Sequence, residues 1–209
     1  VDCPDLAMGR HTAFKEQSVE EFKKTAQLHV DVMNEALANI PAEQCRVHVC
    51  WGNYPGPHDA DVPLADVAPA ILSVKPKFIS LEACNPGHAH EWEVFETVKL
   101  PEDKVLLPGV LDTTTAHIEH PRLVAQRLLN YIRLVGVERV MACTDCGFST
   151  AAGAVNVPEE LVWKKMRSMV EGAKIAAKEA VGGSVARPIE DKVHSRVAES
   201  GYPAGVQGA

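Results

Sequence analysis

Apolar and polar positions follow two rhythms along this chain. Short apolar runs read as buried strands, and longer stretches with apolar residues three and four apart read as helices with one buried face. The first helix opens at Ser18-Val19-Glu20-Glu21, a capping box with a hydroxyl at the cap and a carboxylate three residues on. It carries Phe22, Ala26, Val30, Met33 and Leu37 to an end near Ile40-Pro41. The strand Arg46 to Cys50 follows, then a loop rich in Gly, Pro and Asp as far as Asp61. A helix from about Pro63 to Val74 turns Val67, Ile71 and Leu72 inward. A second strand spans Phe78 to Glu82, and a helix covers about His88 to Val98. The third strand, Val105 to Val110, stops at Asp112-Thr113-Thr114. An amphipathic helix over Pro121 to Leu134, a fourth strand from Arg139 to Ala142 or Cys143, and a last helix over Pro158 to Val181 complete the series.

Strand exits recur at intervals of about 30 residues, the βαβ rhythm of a parallel sheet in a barrel or an open doubly wound fold. Counting an exit at Asp2, the pattern predicts about five strands, short of the eight of a closed barrel. Val1 opens directly onto that exit, so we expect an upstream part to be missing. Residues 182–209 are Gly-, Pro- and charge-rich with little periodicity, and read as a loop-like tail.

A length of 209 residues suits one domain, and 46% apolar with 23% charged residues is ordinary for a soluble globular protein. The net charge of −7 argues against nucleic acid or an anionic membrane as the partner. No apolar run approaches the length of a membrane span, and no signal peptide is visible. The six cysteines lie in apolar, strand-like segments, which points to thiols kept reduced in the cytoplasm.

Reactive groups collect where strands stop: Asp2, His48 with Cys50, Glu82, Asp112, and Asp145 with Cys146. In parallel α/β folds these ends converge on one face. His48 and Cys50 are two apart, so a strand turns both the same way, an N/S pair suited to zinc. The alternative is a core His and a core Cys. A carboxylate at Glu82, ending an apolar strand, is costly unless paired, hydrogen-bonded or on a metal. His48, Cys50, Glu82 and Cys146 thus make a four-point donor set for one zinc ion. Cys143-Thr144-Asp145-Cys146 also has the spacing of a redox pair. His88 and His90 follow a Pro-Gly turn near the same mouth and are candidate substrate contacts or solvated loop residues. Cys3, Cys45 and Cys84 read as packing residues.

Asp2-Cys3-Pro4, His48-Val49-Cys50, Ile79-Ser80-Leu81-Glu82, Pro108-Gly109-Val110-Leu111-Asp112 and Thr144-Asp145-Cys146-Gly147-Phe148 stand in a telling order. In order and rough spacing they resemble the catalytic carboxyl-terminal zinc domain of cobalamin-independent methionine synthase. The resemblance covers residues 1–181 and only about the second half of that domain. It implies part of a (β/α)8 TIM barrel of the methionine synthase and uroporphyrinogen decarboxylase-like type, with zinc on His48, Cys50, Glu82 and Cys146. It also implies methyl transfer to a homocysteine-type thiol, held as a thiolate by zinc, with Asp2 on the substrate amino group. Glu82 and Asp145 are further substrate-binding candidates; Asp112 and His117 are the catalytic candidates. Where the methionine synthases carry a functional His, this chain reads Asp112-Thr113-Thr114-Thr115, and a Thr cannot donate a proton as His does. Single-domain members of that superfamily, including transferases and lyases that open epoxides with coenzyme M, share the zinc-thiol logic with a different donor. The expected partners are a small-molecule thiol and an alkyl donor, with a second chain, the missing half or a further copy of the chain completing the fold. A non-catalytic paralogue is the reading from outside the enzymes.

Overall fold

The computed structural model describes residues 1–54, 56–150, 152–153, 155 and 157–182. The tail expected beyond Gly182 lies outside the described residues. Four parallel strands, β1 (Arg46–Val49), β2 (Phe78–Leu81), β3 (Val105–Leu111) and β4 (Cys143–Thr144), form a sheet in the order β1-β2-β3-β4. They curl into half a barrel, so of the two folds the strand rhythm allowed, the partial barrel that the resemblance implied is the one observed. Helices α1 (Val19–Ala36), α2 (Leu64–Leu72), α3 (Val94–Thr97), α4 (Pro121–Val135) and α5 (Glu159–Val181) complete the order.

The helices form where local chemistry favours them. Ser18 and Glu21 cap α1 reciprocally, through Glu21 N–H to Ser18 Oγ at 3.3 Å and Ser18 N–H to Glu21 Oε2 at 2.8 Å. Phe22, Ala26 and Val30 of that helix meet α2 and the buried face of β1 in one core cluster. A second cluster joins Val110 and Leu111 of β3 to Val124, Ala125, Leu128 and Leu129 of α4 and to Ala176 of α5. All seven residues of β3 are buried, as a central strand covered on both faces requires.

Three expectations change. The strand ending at Asp2 is a single bridge between Asp2 and His48, so four strands stand among the described residues where about five were expected. The fourth strand is two residues rather than a run from Arg139. Arg139 instead lies in a 3-10 turn, its guanidinium drawn to the carbonyls of Leu100, Pro101 and Val135, and Val140 keeps one bridge to Leu106. The helix expected over His88 to Val98 becomes a 3-10 turn, Glu91–Glu93, and the single turn α3. Asn85 Oδ1 captures the amides of Gly87 and His88, and the His88 and Glu91 side chains pair in the interior. That polar commitment competes with a regular helix start.

Candidate metal centre

Cys50 and Cys146 leave the outermost strands of the sheet, yet their sulfurs lie 3.3 Å apart and both are free thiols. In a flat sheet strands three places apart are separated by about 14 Å. The curl of the half-barrel closes that gap. His48 Nε2 stands 3.5 Å from Cys146 Sγ, and Glu82 Oε1 stands 3.4 Å from the same sulfur. His48, Cys50 and Cys146 therefore come within 4.8 Å of one another, from the exits of β1 and β4, and Glu82, from the exit of β2, approaches them through Cys146. Zinc–ligand bonds of about 2.1–2.3 Å at tetrahedral angles place donors about 3.6–3.8 Å apart. The observed edges are slightly contracted from that figure, and two thiols, an imidazole and a carboxylate are a donor set zinc accepts.

Each donor is oriented by its neighbours. His48 Nδ1 meets Ser80 Oγ at 3.1 Å, which leaves Nε2 for the thiols. Glu82 Oε1 accepts from Trp51 N–H at 2.7 Å and Gly52 N–H at 3.2 Å, and Oε2 accepts from Asn85 Nδ2 at 2.8 Å. Gly52 has φ of +121°, a conformation that L side chains rarely adopt, and its N–H also points at Cys50 Sγ at 3.2 Å. Asn53 links three strand exits, donating to Gly147 O at 2.9 Å and accepting from Thr113 Oγ1 at 2.8 Å. The hydrogen bond from Cys146 draws the Cys50 thiol below its ordinary value, against burial and with help from His48. Cys146 is held up by Cys50, by burial and by Glu82.

Asp145 is fully sequestered beneath the centre. Its carboxylate accepts from the amides of Ala83, Cys84 and Asn85 at 2.8, 3.1 and 3.0 Å. Burial pushes its carboxyl up against the pull of those amides. Three donors with no matching acceptor nonetheless suit the ionised form, and we take that as the form the loop is built around. A Cβ on Gly109 would lie 1.9 Å from Asp145 Oδ1, so β3 needs glycine there to admit the carboxylate.

Two cavities flank the donors. One, of about 270 Å³, is bordered by Glu82, Asp112, Asp145 and the loop after β1. The other, of about 340 Å³, is bordered by Asp2, His48 and Cys146. Asp112 stands on the first cavity with its oxygens taken by Thr114 N–H and the Thr114 and Thr115 hydroxyls. Burial raises its carboxyl, but those donors and Lys165 outweigh it and set it below the usual range. His117 is exposed and borders neither cavity; its carbonyl accepts from Lys165. Cys146 turns to Cys50, while Cys143 Sγ lies 3.4 Å from Ser80 Oγ. Cys3, Cys45 and Cys84 are buried.

His88 is buried and lies against Trp51, ring centroids 4.4 Å apart, while His90 is exposed. His88 Nδ1 meets Glu91 Oε2 at 2.8 Å and Nε2 meets Asp61 Oδ2 at 3.3 Å. Burial opposes its charge, but Asp61 and Glu91 outweigh burial and raise it to about 9. Sequence reasoning passed over Asn53, Asp61 and Glu91. The signal for Asn53 was present in the Gly-Asn step at a strand exit; Glu91 carried only its three-residue spacing from His88.

A scan against known protein families finds no match. The chain is 25% identical over 175 residues to the 2-hydroxypropyl-CoM lyase of Xanthobacter autotrophicus, covering 72% of this chain and 45% of that protein. It is 24% identical over 165 residues to the methionine synthase of Saccharolobus solfataricus, covering 78% and 43% respectively. A solved B12-independent methionine synthase from Shewanella sp. W3-18-1, in complex with selenomethionine, superposes with a TM-score of 0.57 at 22% identity. That match covers 73% of this chain and 44% of the other. The chain thus spans less than half the length of each of these relatives. At such identities the likeness carries the architecture: a partial barrel, distantly similar to methionine synthases and to a coenzyme M lyase.

Proposed function

We propose that this chain carries the metal-binding part of an enzyme that transfers a methyl or alkyl group to a substrate thiol. The observation that carries the reading is the convergence of Cys50, Cys146 and His48 at the strand exits, with Glu82 beside Cys146 and two cavities bordering the group. Zinc bound by these residues supplies a Lewis acid that holds a thiol deprotonated near neutral pH.

The residues divide the remaining work. Cys50, Cys146 and His48 hold the metal, and Glu82 stands beside them with its oxygens engaged by backbone amides and Asn85. Asp2 borders the cavity of His48 and Cys146, where a carboxylate suits the amino group of a homocysteine-type thiol. The cavity bordered by Glu82 and Asp112 lies toward the alkyl donor. This arrangement sets sulfur and donor carbon on opposite sides of the centre, and orientation is the protein's main contribution to such a transfer. A centre opening onto cavities supports an enzyme over a purely structural metal site.

An epoxide as alkyl donor is the second reading. The Asp112 turn supports it: Thr113, Thr114 and Thr115 stand where the resemblance places the proton-donating His of folate-dependent methyl transfer, and His117 borders neither cavity. The similarity to a 2-hydroxypropyl-CoM lyase points the same way. Further strands, from another part of the protein or a second chain, complete the barrel in this proposal, and the free thiols suit the cytoplasm.

The test is the metal content of protein purified without added zinc, beside a Cys146→Ser variant, followed by alkylation assays with homocysteine, coenzyme M and glutathione. About one thiol-dependent zinc per chain, lost in the variant, is expected. No zinc in either sample would sink the proposal.

A further inference from the structure

Four carboxylates border the cavity of about 270 Å³: Asp61, Glu82, Asp112 and Asp145, and its described lining contains no lysine or arginine. Three are already committed, Glu82 and Asp145 to amides and Asp112 to its own turn. Asp61 is different. Its Oδ1 is buried without a hydrogen-bond partner among the described residues. His11 Nδ1 stands only 2.8 Å away, is equally buried and is equally unbonded, so no N–H lies along the line between them. The His11 side chain is 9% exposed.

Tyr54 explains which nitrogen of His11 carries the proton. Its hydroxyl donates to Pro57 O at 3.2 Å, so it accepts from His11 Nε2 at 3.1 Å. The Tyr54 carbonyl, which can only accept, stands 3.4 Å from His58 Nε2. In the neutral ring this places the lone pair of His11 on Nδ1, while His58 meets an acceptor at each nitrogen, the Tyr54 carbonyl and the Asp61 carboxylate, and either nitrogen can carry its proton. Both Nδ1 atoms face Asp61, His11 at Oδ1 and His58 at Oδ2, the latter at 2.9 Å. At Oδ1 the contact has no hydrogen bond: two buried electron-rich atoms stand 2.8 Å apart, and a cation held by both would offset their repulsion. Behind Asp61, His88 bridges to Glu91, and Glu91 Oε1 accepts from Leu64 N–H at 2.6 Å, which fixes the carboxylate's orientation.

We propose that His11 Nδ1, His58 Nδ1 and the Asp61 carboxylate form a second metal site, for a first-row divalent cation that takes nitrogen and oxygen donors. Their mutual distances lie within 4.8 Å. Bonds of about 2.1 Å at right angles put neighbouring donors about 3 Å apart, close to the spacings found here. Two histidines and one carboxylate leave coordination positions open, and His58 and Asp61 both border the acidic cavity. The ion offsets the negative charge of that cavity and offers a Lewis acid to an oxygen bound in it. The site stands independently of the thiol centre and of the function proposed for it.

The full chain, stripped with a chelator, is titrated with cobalt(II). Cobalt at Cys50 and Cys146 gives a thiolate charge-transfer band; cobalt at His11, His58 and Asp61 does not. We expect one equivalent beyond that reported by the band, retained in Cys146→Ser when the band is lost. In a His11→Gln/His58→Gln variant that additional equivalent binds at least about tenfold more weakly while the band persists. Because His11 is buried, His58→Gln alone, at the more exposed ring, repeats the test in a chain whose circular dichroism matches the parent. No cobalt beyond what the band accounts for, or an additional equivalent unaffected in these variants, overturns the proposal. Loss of the band alone counts against the thiol centre and leaves this site standing.

Discussion

Lys165 of α5 lies 2.8 Å from Glu119 Oε2, and the lysine side chain has no exposure to solvent. Glu119 Oε1 accepts from Asp112 N–H at 2.8 Å, and Lys165 also reaches the His117 carbonyl. The pair therefore anchors the loop that leaves β3 to the last helix. Lys165→Met leaves a buried carboxylate uncompensated and should cost about 3–5 kcal/mol. Urea unfolding measures the loss, and adding Glu119→Gln should recover much of it. Equal stability of parent and Lys165→Met would show that the pair is not closed in solution.

The buried His88 gives stability a definite pH dependence. Its folded pKa of about 9 lies above the unfolded value of 6.5. The stabilisation is therefore complete below about pH 6.5 and lost as pH rises through about 9. Asp61, Glu91 and, farther off, Glu82 face this ring, and all three favour its charge. The shift corresponds to roughly 3 kcal/mol. Unfolding free energies measured from pH 6 to pH 10 should fall by that order in the parent, and the slope should flatten in His88→Gln.

Gly109→Ala drives a methyl group into Asp145, whose Oδ1 lies 1.9 Å and whose Cα lies 2.7 Å from the new Cβ. The carboxylate must leave the amides of Ala83, Cys84 and Asn85, which immediately follow Glu82. About 3 kcal/mol of stability should go with it. Weakened zinc binding, read in a competition titration with a chromogenic chelator, is the local consequence to look for.

The two sulfurs at the centre predict a redox sensitivity. In metal-free protein, mild oxidation should join Cys50 to Cys146 and remove two of the six free thiols from a colorimetric count. Zinc added beforehand should protect both, and Cys50→Ser should show no such pairwise loss.

Much of the fold was readable because its physics is local. The cap at Ser18 and the apolar stripe of α1 are properties of adjacent turns, and β3 announces itself by continuous apolarity. The nearness of His48, Cys50, Glu82 and Cys146 was legible for a related reason: each stands at a strand exit, and parallel strands gather their exits. Sequence failed where polar side chains reach across the chain. Arg139 gives up strand geometry to three distant carbonyls. His58 lies three residues from Asp61, but His11 and His88 reach it from segments distant in sequence, and no local spacing encodes that meeting. Lys165 left a fainter trace, since Lys165, Ser168, Gly172 and Ala176 share the buried stripe of α5 and two of them are polar.

The meeting of Cys50 and Cys146 makes the sheet a bow and the thiol pair its string. Two residues of β4 with a register shift beside Gly109, a bridge at Val140 and the amides of Met141 and Asp145 hold the last strand by backbone pairing. In the metal-bound form proposed above, an ion between the sulfurs would tension the arc, and whatever flattens the arc would slacken the string. On that proposal metal affinity would be a gauge of curvature, and any element that completed the ring should announce its docking as tighter binding at a centre it need not touch.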